Sequence, residues 1–94
     1  MRYLELRHNG KTFTNEREIN QILQSKKFYW LIDAELENAI IELKNDTIIW
    51  YTGDFYSGRW HYGIFKSGSF YGTWEGGIFE NGNFDGKWED GIKL

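Results

Sequence analysis

A repeat of 14 residues fills the last part of the chain and constrains its fold more than any other feature. Three tryptophans recur at this interval, Trp60, Trp74 and Trp88, and a glycine follows each of them three residues later. Within each repeat a glycine stands two positions before an aromatic residue, and this Gly-x-aromatic step occurs eight times between Gly53 and Trp88. A fixed internal period is typical of repeat architectures, in which each unit packs against its neighbours. We therefore expect residues 53–94 to form a regular array.

The turn residues of the array favour β-hairpins. Asn81-Gly82, Asp90-Gly91 and Gly76-Gly77 each precede a short apolar step. Such dipeptides favour two-residue hairpin turns, because those turns need positive φ. Hairpins at these positions would build an antiparallel β-meander. They would also place every aromatic ring on one face of it, since strand side chains alternate.

The same segments resemble MORN repeats. Residues 70–77 (FYGTWEGG) and 84–91 (FDGKWEDG) are similar to the Tyr-x-Gly-x-Trp-x-x-Gly core of that family, and residues 55–63 match it with one inserted residue. The period of 14 is shorter than the family's, and the later Gly-x-Gly is missing. The resemblance implies a meander of hairpins in a protein-interaction or membrane-associated module. A weaker similarity links the Gly-x-Trp/Phe steps to small uncharacterised proteins of bacteria and their phages.

A right-handed β-solenoid is the alternative architecture. Residues 34–41 resemble two pentapeptide-repeat units, whose spacing the Gly-x-aromatic steps share. Three-sided coils of 14 residues would each enclose three large rings, which we expect to overfill the interior at native packing density. Four-sided coils need a steady period of five, which the 5-5-4 spacing lacks. The meander is therefore preferred, and the solenoid stays open as the alternative.

The first half of the chain predicts a small mixed unit. An alternating strand at residues 2–7 is followed by Asn9-Gly10, a hairpin signal. A helix is expected from about Asn15 to Lys27, because Asn15 and Glu18 form a capping box. Its apolar stripe needs a partner, for which we predict a sheet formed by the first hairpin and residues 28–32.

The halves are expected to form one domain. Residues 39–43 and 47–51 predict a second hairpin that runs directly into the repeat, with no proline or low-complexity linker between. The predicted fold is α+β and mostly β, a single domain over residues 1–94. It comprises a strand-hairpin-helix-strand cap at 1–52 and an aromatic/Gly repeat sheet at 53–94.

Composition narrows the class of protein. The chain of 94 residues has a net charge of −3, no cysteine and 19% aromatic residues. The aromatic content argues against disorder, and the lack of a basic patch makes nucleic acid an improbable partner. The absence of cysteine fits a reducing compartment. No secretory signal or membrane-spanning apolar run is found, so a cytoplasmic location is expected.

No residue pattern points to catalysis. His8 and His61 lack neighbours at the spacing of metal ligands. The glycine-rich stretch at 53–63 lacks the Lys-Ser/Thr of a phosphate-binding loop. We expect no enzyme activity, no cofactor and no metal.

The sequence instead predicts a protein-interaction module, such as a small regulator or inhibitor of a larger partner. Binding is expected through the repeat sheet or its open last strand. Trp and Tyr are preferred interface anchors, so the expected contact residues are Trp60, Tyr71, Trp74 and Trp88. An uncovered edge strand also invites pairing with another chain, so a homo-oligomer through the last strand is expected as well.

Two alternatives remain open. Six acidic residues spaced along one side of the sheet could make the chain a nucleic-acid mimic that blocks a DNA- or RNA-binding enzyme; they are Asp54, Glu75, Glu80, Asp85, Glu89 and Asp90. The aromatic face could also stack bases of single-stranded nucleic acid, or sugar rings.

Overall fold

The computed structural model describes all residues from Met1 to Leu94 and shows a mostly β chain with two short helices. In chain order the elements are β1 (Tyr3–His8), β2 (Lys11–Phe13), α1 (Glu16–Ser25), α2 (Tyr29–Ile32), β3 (Glu35–Lys44), β4 (Thr47–Ser57), β5 (Arg59–Trp60), β6 (Ile64–Phe65), β7 (Ser69–Phe70), β8 (Thr73–Trp74), β9 (Ile78–Phe79), β10 (Asn83–Phe84), β11 (Lys87–Trp88) and β12 (Ile92–Lys93). The α+β, mostly β fold class is confirmed.

The predicted first hairpin and first helix are confirmed. β1 pairs with β2 antiparallel, and the turn residues Asn9 and Gly10 have φ of 52° and 73°. The side chain of Asn15 accepts a hydrogen bond from the Glu18 backbone N–H at 3.1 Å, which caps α1. The helix lays Ile19 and Leu23 into the core.

The strand predicted at residues 28–32 is wrong, because this segment forms the helix α2. Lys27 ends α1 with a φ of 65°, and the Phe28 backbone N–H donates to the Leu23 carbonyl at 2.9 Å. This left-handed turn sends the chain into a second helix. The apolar run buries Phe28, Trp30 and Leu31, and a short apolar run does not by itself separate helix from strand.

The second hairpin is confirmed and joins the two halves of the chain. β3 and β4 pair antiparallel across Asn45 and Asp46, which have φ of 51° and 58°. β4 runs from Thr47 to Ser57 without a break, so it belongs both to the predicted cap and to the repeat. One core cluster of 20 buried residues likewise contains members from both halves.

From β5 onward the chain forms a β-solenoid of about three turns, which was the alternative architecture. β8 lies parallel between β5 and β11, β9 lies parallel between β6 and β12, and β10 pairs parallel with β7. Each residue is paired with the one 14 positions later, as Trp74 is with Trp88. The expected antiparallel meander is therefore corrected, because successive repeats stack as coils.

Backbone angles explain why the Gly dipeptides do not make hairpins here. In the two real hairpins, both turn residues have positive φ, as type I′ turns require. In the repeat only the glycine does, for example Gly82 with a φ of 121°, whereas Asn81 does not. A single glycine in this region turns a corner without reversing the chain. Asn-Gly therefore occurs both in hairpin turns and at coil corners, and the dipeptide alone does not show which of the two forms.

The solenoid interior holds three columns of stacked rings. Rings in equivalent positions of successive coils stack with centroids 4.8–5.5 Å apart and planes 8–15° apart. The columns are Trp60–Trp74–Trp88, Trp50–Phe65–Phe79 and Phe55–Phe70–Phe84. Rings that follow each other along the chain meet edge to face, as Trp74 and Phe79 do at 85°.

This arrangement overturns the expectation that three rings overfill a coil. A stacked ring needs about the 4.8 Å that separates neighbouring strands, so flat rings fit one per coil in each column. Edge-to-face contacts are also a preferred geometry for aromatic pairs. The interior is full, and none of its buried residues is polar or charged.

The N-terminal half covers the starting end of all three columns. Leu36 is paired in register with Phe55, and Ile41 with Trp50. Trp30 of α2 meets Trp60 edge to face with centroids 5.0 Å apart. At the other end, Phe79 is 2% exposed and has Lys93 as its register partner, and the Lys93 ammonium lies 5.0 Å from the centroid of the Phe84 ring. No ring or strand follows Trp88, which is partly buried.

Candidate interaction surface

The structure places two of the four predicted aromatic contact residues in the core. Trp60 and Trp74 have no exposed surface, whereas Trp88 is partly buried at the last coil and Tyr71 is exposed on the outer face. A ring without accessible surface touches no partner while the solenoid is folded. Trp60, Trp74 and Trp88 do lie together, but as one internal column.

Three of the six predicted acidic residues are engaged with cations. Glu75 forms an ion pair with Arg59 and lies 3.5 Å from the His61 imidazole, and Glu80 lies 3.4 Å from Lys66. Each pair joins successive coils, which is consistent with a role in the repeat itself.

The other four acids differ from one another. Glu89 lies 3.6 Å from Lys87 and 3.9 Å from Arg59. Asp54, Asp85 and Asp90 take part in no ion pair, and Asp85 and Asp90 are exposed.

A further face of the solenoid combines tyrosines with unpaired carboxylates, and the sequence predicted Tyr71, Asp54 and Asp85 but not their grouping with Tyr56 and Glu37. We call it the tyrosine face and define it by Tyr56, Tyr71, Glu37, Asp54 and Asp85. The tyrosine rings stack with centroids 5.9 Å apart and planes 9° apart, and 44% and 39% of these two residues is exposed. The signal was present in the repeat, since both tyrosines directly follow a phenylalanine of the same core column.

The last coil has an open edge. β10, β11 and β12 pair only with the preceding coil, and no strand lies on their outer side. Phe84 and Trp88 are half-buried there, while Ile92 and Leu94 are 55% and 78% exposed. This edge combines unpaired backbone with apolar side chains.

The two histidines lie in separate grooves, and His8 lines one of about 400 Å³ together with Lys26, Glu42, Lys44 and Asp46. His8 contacts the Leu43 carbonyl at 3.4 Å, and His61 stacks on Trp30 with centroids 5.8 Å apart. His61 lines a groove of about 330 Å³ beside α2, together with Tyr29, Trp30, Asp33, Gly58 and Arg59. No group of three or more His, Cys, Asp or Glu side chains is placed to hold a metal ion.

The pKa shifts on the surface concern tyrosine and arginine side chains. A hydrogen bond to Glu42 raises the pKa of Tyr51, and burial raises that of Tyr62. The carboxylate of Asp54 raises the pKa of Tyr56. All three hydroxyls therefore stay neutral around pH 7, so they do not supply a base there.

Comparison with protein-family models, curated proteins and solved structures finds no match. Neither helix is long and apolar enough to cross a membrane.

Proposed function

We propose that this chain is a non-enzymatic protein-interaction module that docks its partner on the open edge of its last coil. The observation that carries the proposal is the combination at β10, β11 and β12 of unpaired strand edges with accessible apolar side chains. Strand edges template pairing with an incoming chain, and adjacent pockets for side chains supply specificity. Trp88 is the main anchor, because it presents the free end of its ring column, and Phe84 lies beside it with the Lys93 ammonium 5.0 Å from its ring centroid.

The distribution of polar groups supports a binding role over catalysis. Catalytic acids and bases depend on partly buried positions that shift their pKa toward neutrality. Here the buried residues are apolar or aromatic, and the paired carboxylates lie on the surface between coils. The proposed role is that of a small regulator or inhibitor held on a larger partner.

The two alternative functions find less support. Stacking of bases or sugars needs exposed ring faces, and Trp60 and Trp74 have none. Mimicry of nucleic acid needs a row of uncompensated charge, and Glu75, Glu80 and Glu89 are each paired with a cation, which leaves three of the six proposed acids unpaired.

Site-specific photo-crosslinking tests the proposal while keeping the fold. A benzoylphenylalanine at Ile92 on β12 is compared with one at Leu4, which is 42% exposed on β1. Four strands separate β12 from β1 in the sheet order, so Leu4 reports on a surface far from the edge. Both proteins are irradiated in a lysate of the organism that encodes the chain, and the adducts are identified by mass spectrometry.

We expect a discrete protein adduct from position 92 and none from position 4. An adduct with a second copy of the chain would make the partner a homo-oligomer, and one with another protein would identify the larger partner. Adducts at neither position, or equally at both, would contradict docking on the last coil. Deleting the final strands is a poorer test, because it exposes the equivalent edge one coil earlier.

A further inference from the structure

We propose that the tyrosine face binds arginine side chains of a basic protein segment, with one guanidinium stacked on Tyr71 and paired with Asp85. This face lies on the outside of the coils rather than on their open edge. Either proposal can therefore fail without the other.

The geometry of the tyrosine column leaves one place unfilled. Tyr56 and Tyr71 occupy equivalent positions of successive coils, and Asp85 occupies the next one. The Tyr71 backbone N–H donates to the Phe55 carbonyl at 2.8 Å, and the Asp85 N–H donates to the Phe70 carbonyl at the same distance. A third ring would complete the stack, but the short side chain of Asp85 leaves the outer face of Tyr71 uncovered.

A guanidinium fits that place better than other groups. It is planar, so it can lie flat on the Tyr71 ring. The distance between the two planes would be about one strand spacing. Its edge presents N–H donors in a fork that matches a carboxylate. Asp85 supplies this carboxylate and has no other cation. A lysine ammonium would gain the charge pairing without the planar contact.

The other end of the tyrosine pair repeats the arrangement. Glu37 and Asp54 are register partners on β3 and β4 beside Tyr56, and neither takes part in an ion pair. The Tyr56 hydroxyl lies 3.4 Å from a carboxylate oxygen of Asp54. The pKa of Tyr56 is raised chiefly by Asp54 and further by Glu37, which reports a negative potential at the ring.

No lysine or arginine occurs in the segments that form this face, residues 35–38, 53–57, 68–72 and 82–86. Elsewhere on the solenoid the acids alternate with cations, as Glu75 does with Arg59. The tyrosine face is therefore complementary in charge to a basic partner, and an exposed sheet face of aromatic rings supplies contact area. An arginine-rich protein segment matches both the negative charge and the exposed aromatic rings of this face.

Binding of a labelled oligo-arginine peptide, followed by fluorescence anisotropy at low ionic strength, tests the proposal. An oligo-lysine peptide of equal length is the comparison. Asp85→Asn is matched with Asp90→Asn, because both acids are exposed in the last coil and both changes remove one charge. Tyr71→Leu is matched with Tyr29→Leu, which removes another exposed ring.

We expect wild type to bind oligo-arginine several-fold more tightly than oligo-lysine. Asp85→Asn and Tyr71→Leu should each weaken binding by about fivefold to tenfold, while the two control changes stay within about twofold. Tyr71→Phe should bind like wild type, since it keeps the ring. Equal affinity for the two peptides, equal loss in the aspartate pair, or no saturable binding would each overturn the proposal.

Discussion

At the scale of single residues, the coil corners depend on glycines whose environments differ sharply even when they are neighbours. Gly77 has a φ of 97°, and a Cβ there would collide with the carbonyl oxygen and nitrogen of Gly63 in the preceding coil. At Gly76 the φ is not in the left-handed region, and a Cβ would lie 3.0 Å from the His61 carbonyl oxygen alone. Gly77 is thus required by its backbone conformation and by a close backbone contact, whereas Gly76 is restricted only by one close contact.

Gly77→Ala should lower the free energy of unfolding far more than Gly76→Ala. The first change combines left-handed strain with a backbone clash, and we expect a loss of at least about 3 kcal/mol. The second should cost about 1 kcal/mol, because only one contact must relax. Urea denaturation of the two variants measures the difference. Equal losses would show that the corner tolerates either residue and that positive φ at position 77 is not required.

Tryptophans of one column should also differ in how much their loss lowers the free energy of unfolding. Trp74→Ala empties a fully buried site between two stacked rings, which should cost about 3–5 kcal/mol. Trp88→Ala removes a half-buried ring with a stacked neighbour on one side only, so we expect about half that loss. Denaturation followed by far-UV circular dichroism compares them. A similar loss at both positions would mean that the last coil is as well packed as the middle one.

At the scale of elements, short sequence signals predicted the caps and turns that residues close in sequence determine. The Asn15 cap and the Asn9-Gly10 turn are each fixed by neighbours in sequence, so both were predicted correctly. The helix α2 was not, because its apolar run carries no period that separates helix from strand, and contacts elsewhere in the fold hold it. The pairing of the coils was missed for a related reason. Parallel stacking depends on rings 14 residues apart meeting face to face.

The candidate surfaces divide along the same line. That aromatic side chains share one side was predicted, since alternation is a local rule. Alternation alone does not decide whether that side is core or contact surface, and the structure places Trp60 and Trp74 in the core. Charge pairing between coils was equally hidden, because Lys66 and Glu80 become neighbours only once the coils stack.

The C-terminal end of α2 depends on Arg2, the residue just before β1. The Arg2 guanidinium donates to the carbonyls of Ala34 at 2.6 Å, Leu31 at 3.0 Å and Ile32 at 3.1 Å. The Leu31 carbonyl also accepts from the Ala34 backbone N–H at 3.2 Å, and the cation adds a charged donor to all three carbonyls and complements the end of the helix. This contact explains how so short a helix is held over the start of the tryptophan column.

Arg2→Met should therefore destabilise the fold by about 1.5–3 kcal/mol, because it strips the charged donor from three carbonyls. Arg17→Met is the matched control: Arg17 is exposed on α1 without an ion pair, and its loss should stay within about 0.5 kcal/mol. Chemical denaturation gives both values, and near-UV circular dichroism follows the packing of Trp30. If Arg2→Met left the free energy of unfolding unchanged, water would satisfy these carbonyls equally well.

At the scale of the whole molecule, the solenoid is asymmetric. Its first coil is covered by β3 and α2, whereas its last coil meets no further element within residues 1–94. In repeat architectures each coil gains stability from its neighbours on both sides, so a coil with one neighbour is the least stable. The open edge that we propose as a docking site is therefore also the part of the molecule that opens most readily.

Amide hydrogen exchange should reveal this difference in stability between coils. Hydrogen-bond length does not contribute to it, because equivalent amides make bonds of equal length. The Thr73 and Lys87 amides donate to the preceding coil at the same 2.9 Å, and the Glu75 and Glu89 amides both do so at 2.8 Å. Lys87 and Glu89 lie in the last coil, so we expect them to be protected at least about tenfold less than their equivalents. Equal protection would show that all coils open together in one cooperative transition. In that case the edge presented to a partner would be ordered before binding, and docking would order no part of the last coil.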